Sequence, residues 1–172
     1  MHPRVLAPAA ALALTACSRL PGVGAAATTT TTTLPGLHAT VRYVVDGDTV
    51  DLAIDGHDER VRLIGINTPE SVQRDHPVEC FGKEASAYTA SLLPEGTDVL
   101  IERDVEPRDD YGRLLLYVYR AEDGLFVNLE LARAGYAQPL TIPPNVAHSS
   151  EFVDAARSAE SSDLGLWSAC SG

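Results

Sequence analysis

From residue 38 onward, apolar and polar positions fall into short runs whose period changes once along the chain. His38 to Asp46 is rich in β-branched and aromatic residues (Val41, Tyr43, Val44, Val45) and predicts a strand. Val50, Leu52 and Ile54 alternate with Asp51 and Ala53, which predicts a half-buried second strand after a turn. Asp55-Gly56 is a hairpin signal. Val61 and Leu63 alternate with Arg62, giving a third strand that ends near Gly65, with Arg62 on the face opposite those two and shared with Ile64 and Ile66. Asn67 to Glu79, with two prolines and many polar residues, reads as a loop. The period then lengthens. Phe81, Ala85, Tyr88 and Leu92 fit one helix face between Phe81 and Leu93, and Pro94-Glu95-Gly96 stops that helix. Val99–Val105 and Leu114–Tyr119 are two further strands. Asn128–Ala134 is a short helix closed by Gly135. Ser149 or Ser150 caps a last helix to about Asp163, with Phe152, Ala156 and Ala159 inward and Trp167 packed nearby.

The order βββ-α-ββ-α-α is that of a mainly-β α+β fold. Five short strands with an inserted helix predict a small, partly open Greek-key barrel of the OB type with about three helices. This domain spans 38–172. Ahead of it, Arg4 precedes an apolar, Ala/Leu-rich run, Val5–Leu14, ending in Leu14-Thr15-Ala16-Cys17. A charged start, a short apolar core and a small-residue cleavage site read as an export signal over 1–16. The four closing residues resemble a bacterial lipobox, which implies lipidation of Cys17 and attachment to a membrane; plain secretion with an incidental cysteine is the alternative. Residues 17–37, with an unbroken run Thr28–Thr33, hold too little apolar surface to pack and read as a disordered tether.

Charge narrows the function. The formal net charge of −11 over 172 residues excludes binding of polyanions through a broad basic surface. A polyanion must be gripped locally, by a few arginines and a cation. With Cys17 set aside, Cys80 and Cys170 remain as an even pair in an exported chain. A disulfide between them is the natural reading, and two unpaired thiols are the alternative.

The candidate chemistry lies in three stretches. Asp46-Gly47-Asp48-Thr49 places two carboxylates around a glycine. Taken alone it is most often a hairpin turn, although a turn needs neither the second aspartate nor the threonine. Arg62 shares a strand face with isoleucines, which is costly for a guanidinium unless it is paired, functional or able to reach the rim. Thr68-Pro69-Glu70 is a rigid turn bearing a carboxylate. Arg113 follows Gly112 at the start of a strand. Each feature alone is more often structural, and the combination carries the argument.

Over residues 38–170 the chain resembles the staphylococcal nuclease family. The matching stretches are VVDGDTV, VRLIGINTPES, FGKEASAY, DDYGRLLLYVY, VNLELARAGYA, PPNVAH and the closing GLW. The resemblance implies an OB barrel, Ca²⁺ binding, and hydrolysis of DNA and RNA at the 5′ phosphoester to leave 3′-phosphates. It makes Asp48, Asn67 and the Thr68 carbonyl the calcium ligands and Asp46 a carboxylate just outside them. Arg62 and Arg113 become the catalytic arginines and Glu70 the catalytic glutamate. Tyr111 is a candidate for packing against substrate, although core packing is the commoner role for such a tyrosine.

Two departures stand out. Asn67 is neutral where the family pattern has a carboxylate, so a weaker metal site is expected. Leu140 and Ile142 lie where tyrosines often line the nucleotide pocket. The expected protein is therefore a monomeric, lipid-anchored or secreted, calcium-dependent nuclease. The other readings are a nucleic-acid-binding module on the same fold and an envelope interaction domain. Arg62, Glu70 and Arg113 together weigh against both, and His148 reads as a local hydrogen-bonding residue.

Overall fold

The computed structural model describes residues 37–71 and 77–170. The expected export signal, Cys17 and the tether lie outside them, except for Leu37, which already belongs to the first strand. The element order is β1 (Leu37–Asp46), β2 (Thr49–Ile54), β3 (His57–Leu63), β4 (Gly65–Asn67), α1 (Gly82–Leu92), β5 (Asp98–Arg108), β6 (Leu114–Arg120), α2 (Val127–Arg133), β7 (Gln138–Leu140), α3 (Ser149–Ser161) and α4 (Leu166–Ala169). Among the described residues no helix is long and apolar enough to cross a membrane.

The three predicted N-terminal strands form an antiparallel meander, and β5 and β6 form a second antiparallel pair. The expected partly open barrel is closed. Val61, Arg62 and Leu63 pair in parallel with Leu114, Leu115 and Leu116, and β1 pairs with β5 at the other seam. Inward side chains such as Val50, Leu52, Val61, Leu63, Val99 and Leu116 are fully shielded from water. Each contributes about 1.5–3 kcal/mol of transfer free energy. Asn128, at the start of α2, is buried at the parallel seam. Its amide donates to Ile64 O (2.9 Å) and Leu116 O (3.2 Å), and its oxygen accepts from Val118 N (3.0 Å).

Several boundaries move. The alternation of β3 stops at Leu63: Ile64 is a turn residue, Gly65 has φ +85°, and Ile64 and Ile66 both enter the core. Arg62 therefore does not share a continuous face with them. Gly65 is also where Phe152 packs, since a Cβ there would stand 2.1 Å from the ring. The residues after Gly65 form a ribbon with β7, pairing Ile66 with Pro139 and Asn67 with Gln138. On α1 the buried face is Gly82, Ala85, Thr89 and Leu92; Phe81 is the N-cap residue rather than part of the helix. His148, not a serine, holds the N-cap position of α3, and no side chain caps the helix there. Phe152, Ala156 and Ala159 are inward as expected. Cys80 and Cys170 are joined in a disulfide, with Cα atoms 5.9 Å apart.

Candidate active site

At the rim where β1 passes to β2, Gly47 and Asp48 form a two-residue connection, with Asp46 paired to Thr49. Both aspartates are buried and both hold the Thr68–Ser71 segment. Asp48 Oδ2 accepts from Thr68 N (2.9 Å), and Asp46 Oδ1 accepts from the Ser71 amide (3.3 Å) and hydroxyl and from Gly47 N (2.8 Å). The need for glycine at 47 is one of space: an added Cβ would lie 2.5 Å from Thr68 Oγ1. From the other side, Thr89 of α1 donates its hydroxyl to Gly47 O at 2.6 Å. The two carboxylates are thus fixed by side chains and main chain drawn from three separate stretches.

Glu70 stands beside them, half-buried. Its amide donates to Glu79 Oε2 (3.0 Å) and its carbonyl accepts from Glu79 N (2.9 Å). The first residue of α1 is glycine because a Cβ at Gly82 would meet Glu70 O at 2.4 Å. The disulfide at Cys80 ties the same turn to the C-terminus. Burial, a hydrogen bond to Asp46, and the nearby charges of Asp46, Asp48 and Glu79 push the Glu70 carboxyl up to about 7. The acids crowd one another enough for one to hold its proton near neutrality.

The arginines close the site from the β3–β6 side. Arg62 Nη2 pairs with Asp48 Oδ2 (2.9 Å) and also donates to Asn67 Oδ1 (3.0 Å), while Nη1 donates to Leu63 O (2.7 Å). Burial holds the Arg62 pKa below its usual value, and Arg113 acts in the same direction; Asp48, Glu70 and Asp109 oppose it. Arg113 is oriented by Asp109, which accepts from Arg113 Nε at 2.7 Å and from its amide at 2.9 Å. Arg113 Nη1 reaches Thr49 Oγ1 at the 3.5 Å limit, and that hydroxyl donates to Asp48 Oδ1 at 3.2 Å. Both guanidiniums therefore converge on Asp48, one directly and one through Thr49.

Tyr111 does not pack in the core. It is 86% exposed, with its ring 5.4 Å from the Arg113 guanidinium carbon. With the two arginines it lines a cleft of about 580 Å³ whose far wall is Leu140, Ile142 and Pro143. That wall is fastened to β5 by Asn145, which accepts from Glu106 N (2.7 Å) and donates to Glu106 O (3.0 Å). His148 makes the local hydrogen bond read from the sequence, to Glu151 (2.7 Å), and a long-range one to Glu102 of β5 (3.2 Å).

The structure thus brings together Asp46, Asp48, Arg62, Asn67, Thr68, Glu70 and Arg113, while Tyr111 stands at the cleft. Sequence reasoning missed Thr89, Asp109, Asn128 and Asn145. Thr89 was detectable, because its spacing from Ala85 and Leu92 puts it on the inner face of α1.

Among the described residues no three carboxylate, imidazole or thiolate side chains form a metal cluster. The oxygen donors near one another are mixed: the Asp48 carboxylate, the Asn67 amide and the Thr68 carbonyl. Two observations fit a hard cation at these donors. Glu70 is held towards its protonated form by burial and by the charges of Asp46, Asp48 and Glu79, charge that a bound cation would offset. The buried Thr68 hydroxyl has no hydrogen-bond partner among the described residues. Oxygen-only donor sets of this kind suit Ca²⁺.

A closed five-stranded barrel whose strand ends carry carboxylates against two guanidiniums defines an OB-type protein with a mixed acid–arginine site. A family model described as staphylococcal nuclease homologue matches residues 60–169. The thermonuclease of Staphylococcus intermedius is 41% identical over 127 residues, covering 74% of each chain. The thermonuclease of Staphylococcus hyicus is 35% identical over 125 residues, 73% of this chain and 72% of that protein. Endonuclease YncB of Bacillus subtilis (strain 168) is 32% identical over 133 residues, 77% of this chain and 62% of that protein. The chain belongs to the staphylococcal nuclease family.

Proposed function

We propose that the protein is a Ca²⁺-dependent nuclease that hydrolyses DNA and RNA at the 5′ P–O bond and leaves 3′-phosphates. The observation that carries this reading is the convergence of Arg62 and Arg113 on Asp48 beside the Glu70 carboxyl. Arg62 and Arg113 bind the phosphate as planar, permanently charged donors and meet negative charge as it grows on the phosphoryl oxygens. Glu70 takes the proton of the attacking water at a carboxylate oxygen. Asp46 holds Ser71, and so keeps the turn that carries Glu70 in place. Asp48, Asn67 and the Thr68 carbonyl would hold the cation, with Asp46 just outside. When bound, Ca²⁺ supplies Lewis-acid polarisation of the phosphate and offsets its charge.

The Leu14–Cys17 stretch and the Cys80–Cys170 disulfide support a place outside the cytoplasm, with the chain either lipid-anchored through Cys17 or secreted. The test is cleavage of single-stranded DNA by the oxidised protein in Ca²⁺, Mg²⁺ or EDTA, beside Glu70→Gln. Calcium-dependent cutting that Glu70→Gln abolishes is the expected result. Intact DNA at millimolar Ca²⁺ would overturn the proposal in favour of a binding module.

A further inference from the structure

A second groove, of about 530 Å³, runs between β1 and α1. It meets the acid cluster at Ser71, the residue whose hydroxyl and amide hold Asp46. The cleft with the two arginines meets the same cluster from β3 and β6. Around the barrel rim the order is therefore arginine cleft, Asp48 and Glu70, Ser71, then the β1–α1 groove.

The side chains of this groove suit a single nucleic-acid strand. Lys83, the only lysine in the chain, stands exposed in the first turn of α1 and lines it. Nearly every other cation among the described residues is neutralised by a named carboxylate; Lys83 and Arg103 are the two that make no ion pair there. Arg42 contributes a second charge. Asp58 engages only its Nε (3.2 Å), so its two Nη atoms are without a hydrogen-bond partner among the described residues. Tyr43 is 65% exposed and lines the groove, as does Glu95. A cation and an aromatic ring along a groove are what a sequence-tolerant single-strand subsite requires. In a chain of net charge −11, a lysine that makes no ion pair among the described residues, beside the site, is local grip of the kind the composition demands.

We propose that the β1–α1 groove is a second nucleotide subsite, taking the strand on the side of the reacting phosphate away from the arginine cleft. Lys83 meets the next backbone phosphate there and Tyr43 stacks on a base. This rests on the nuclease reading for its direction, but binding tests it separately. Cleavage of the dinucleotide TpT, which lacks the outer phosphate, is compared with cleavage of (dT)₈ in Ca²⁺. Affinity for (dT)₈ is measured by fluorescence anisotropy on a Glu70→Gln background. Lys83→Glu is the main variant; an acidic residue suits the first turn of a helix, so the fold is kept. Arg103→Glu, which makes the same change of charge on β5 away from both clefts, is the control.

Lys83→Glu is expected to raise KM for (dT)₈ at least five-fold more than for TpT, and to weaken (dT)₈ binding about ten-fold. Tyr43→Ala is expected to weaken binding five-fold or more. Lys83→Ala should make log affinity against log salt shallower by about 0.7, the value of one single-strand phosphate contact. Equal losses for the two substrates, or equal effects of Lys83→Glu and Arg103→Glu, would overturn the subsite while leaving the nuclease reading intact. Absent cleavage with Lys83-dependent binding would sink the nuclease reading and leave the subsite. Absence of both would sink the two together.

Discussion

The two halves of the site differ in how their charges are balanced. On the β3–β6 side every guanidinium has a carboxylate: Arg62 has Asp48, Arg113 has Asp109, and Arg108 beyond them has Glu59. On the β1–α1 side burial, a hydrogen bond to Asp46 and the charges of Asp46, Asp48 and Glu79 raise the Glu70 carboxyl, and among the described residues main-chain amides and a hydroxyl are what hydrogen-bond Asp46 and Glu79. The arginine half is preorganised by its own residues. Among the described residues no cation forms an ion pair with Asp46, Glu70 or Glu79, although the charge of Arg62 reaches Glu70. On the proposed reading, that difference lets an acidic protein grip a phosphate: the positive charge is held in fixed directions by Asp48 and Asp109, and a bound cation would offset the acids.

Removing the base is expected to have the largest effect. Glu70→Gln keeps the shape and abolishes proton acceptance, and should lower kcat by 10²–10⁴-fold in single-turnover assays, with the arginine half unchanged. Asp109→Ala attacks the other half through its support. Arg113 would lose the partner of its Nε and its amide, and a displacement on the order of 1 Å should cost about 10²-fold in kcat/KM with little change in unfolding midpoint. Gly47→Ala forces a methyl against Thr68. It should lower stability in urea by about 1–3 kcal/mol and weaken calcium binding as the Asp48–Thr68 contact opens. Asn67→Asp adds a carboxylate to the acid half, but one that Arg62 already engages through the amide oxygen. Calcium affinity by calorimetric titration should rise about ten-fold, equivalent to about 1.4 kcal/mol. An affinity equal to that of the parent would remove Asn67 from the ligand set.

Much of the acid half was legible from residues 46–49 and 67–70, because carboxylates two apart and a Thr-Pro-Glu turn are local features. The five barrel strands were legible from alternation for the same reason. What the sequence hid is non-local. The parallel pairing of β3 with β6 has no turn signal, since its partners are some 50 residues apart. The β4–β7 ribbon runs through Pro139, a residue that argues against a strand. Charges and a proline mask the second half of β5, which runs to Arg108 and carries the chain to Asp109. Asp109, Asn128 and Asn145 look like ordinary polar residues in a sequence. Only burial and partners show that they orient an arginine, a helix and a cleft wall. Tyr111 was the converse case, an aromatic that suits a core but stands in solvent beside Arg113.

The imbalance in the acid half can be read directly from the Glu70 carboxyl carbon, titrated by NMR in the metal-free protein and again in Ca²⁺. Burial first, then the hydrogen bond to Asp46 and the charges of Asp46, Asp48 and Glu79, push the metal-free value up to about 7, above the ordinary 4.5. A carboxyl raised in the fold favours the folded state fully below 4.5, and that contribution is lost as pH rises through about 7. Metal-free stability should therefore fall between those pH values, and Glu70→Gln should flatten the decline. Calcium should lower the titration midpoint towards the ordinary carboxylate range. A metal-free midpoint already near 4.5, or one that Ca²⁺ leaves in place, would contradict a site built with negative charge in excess.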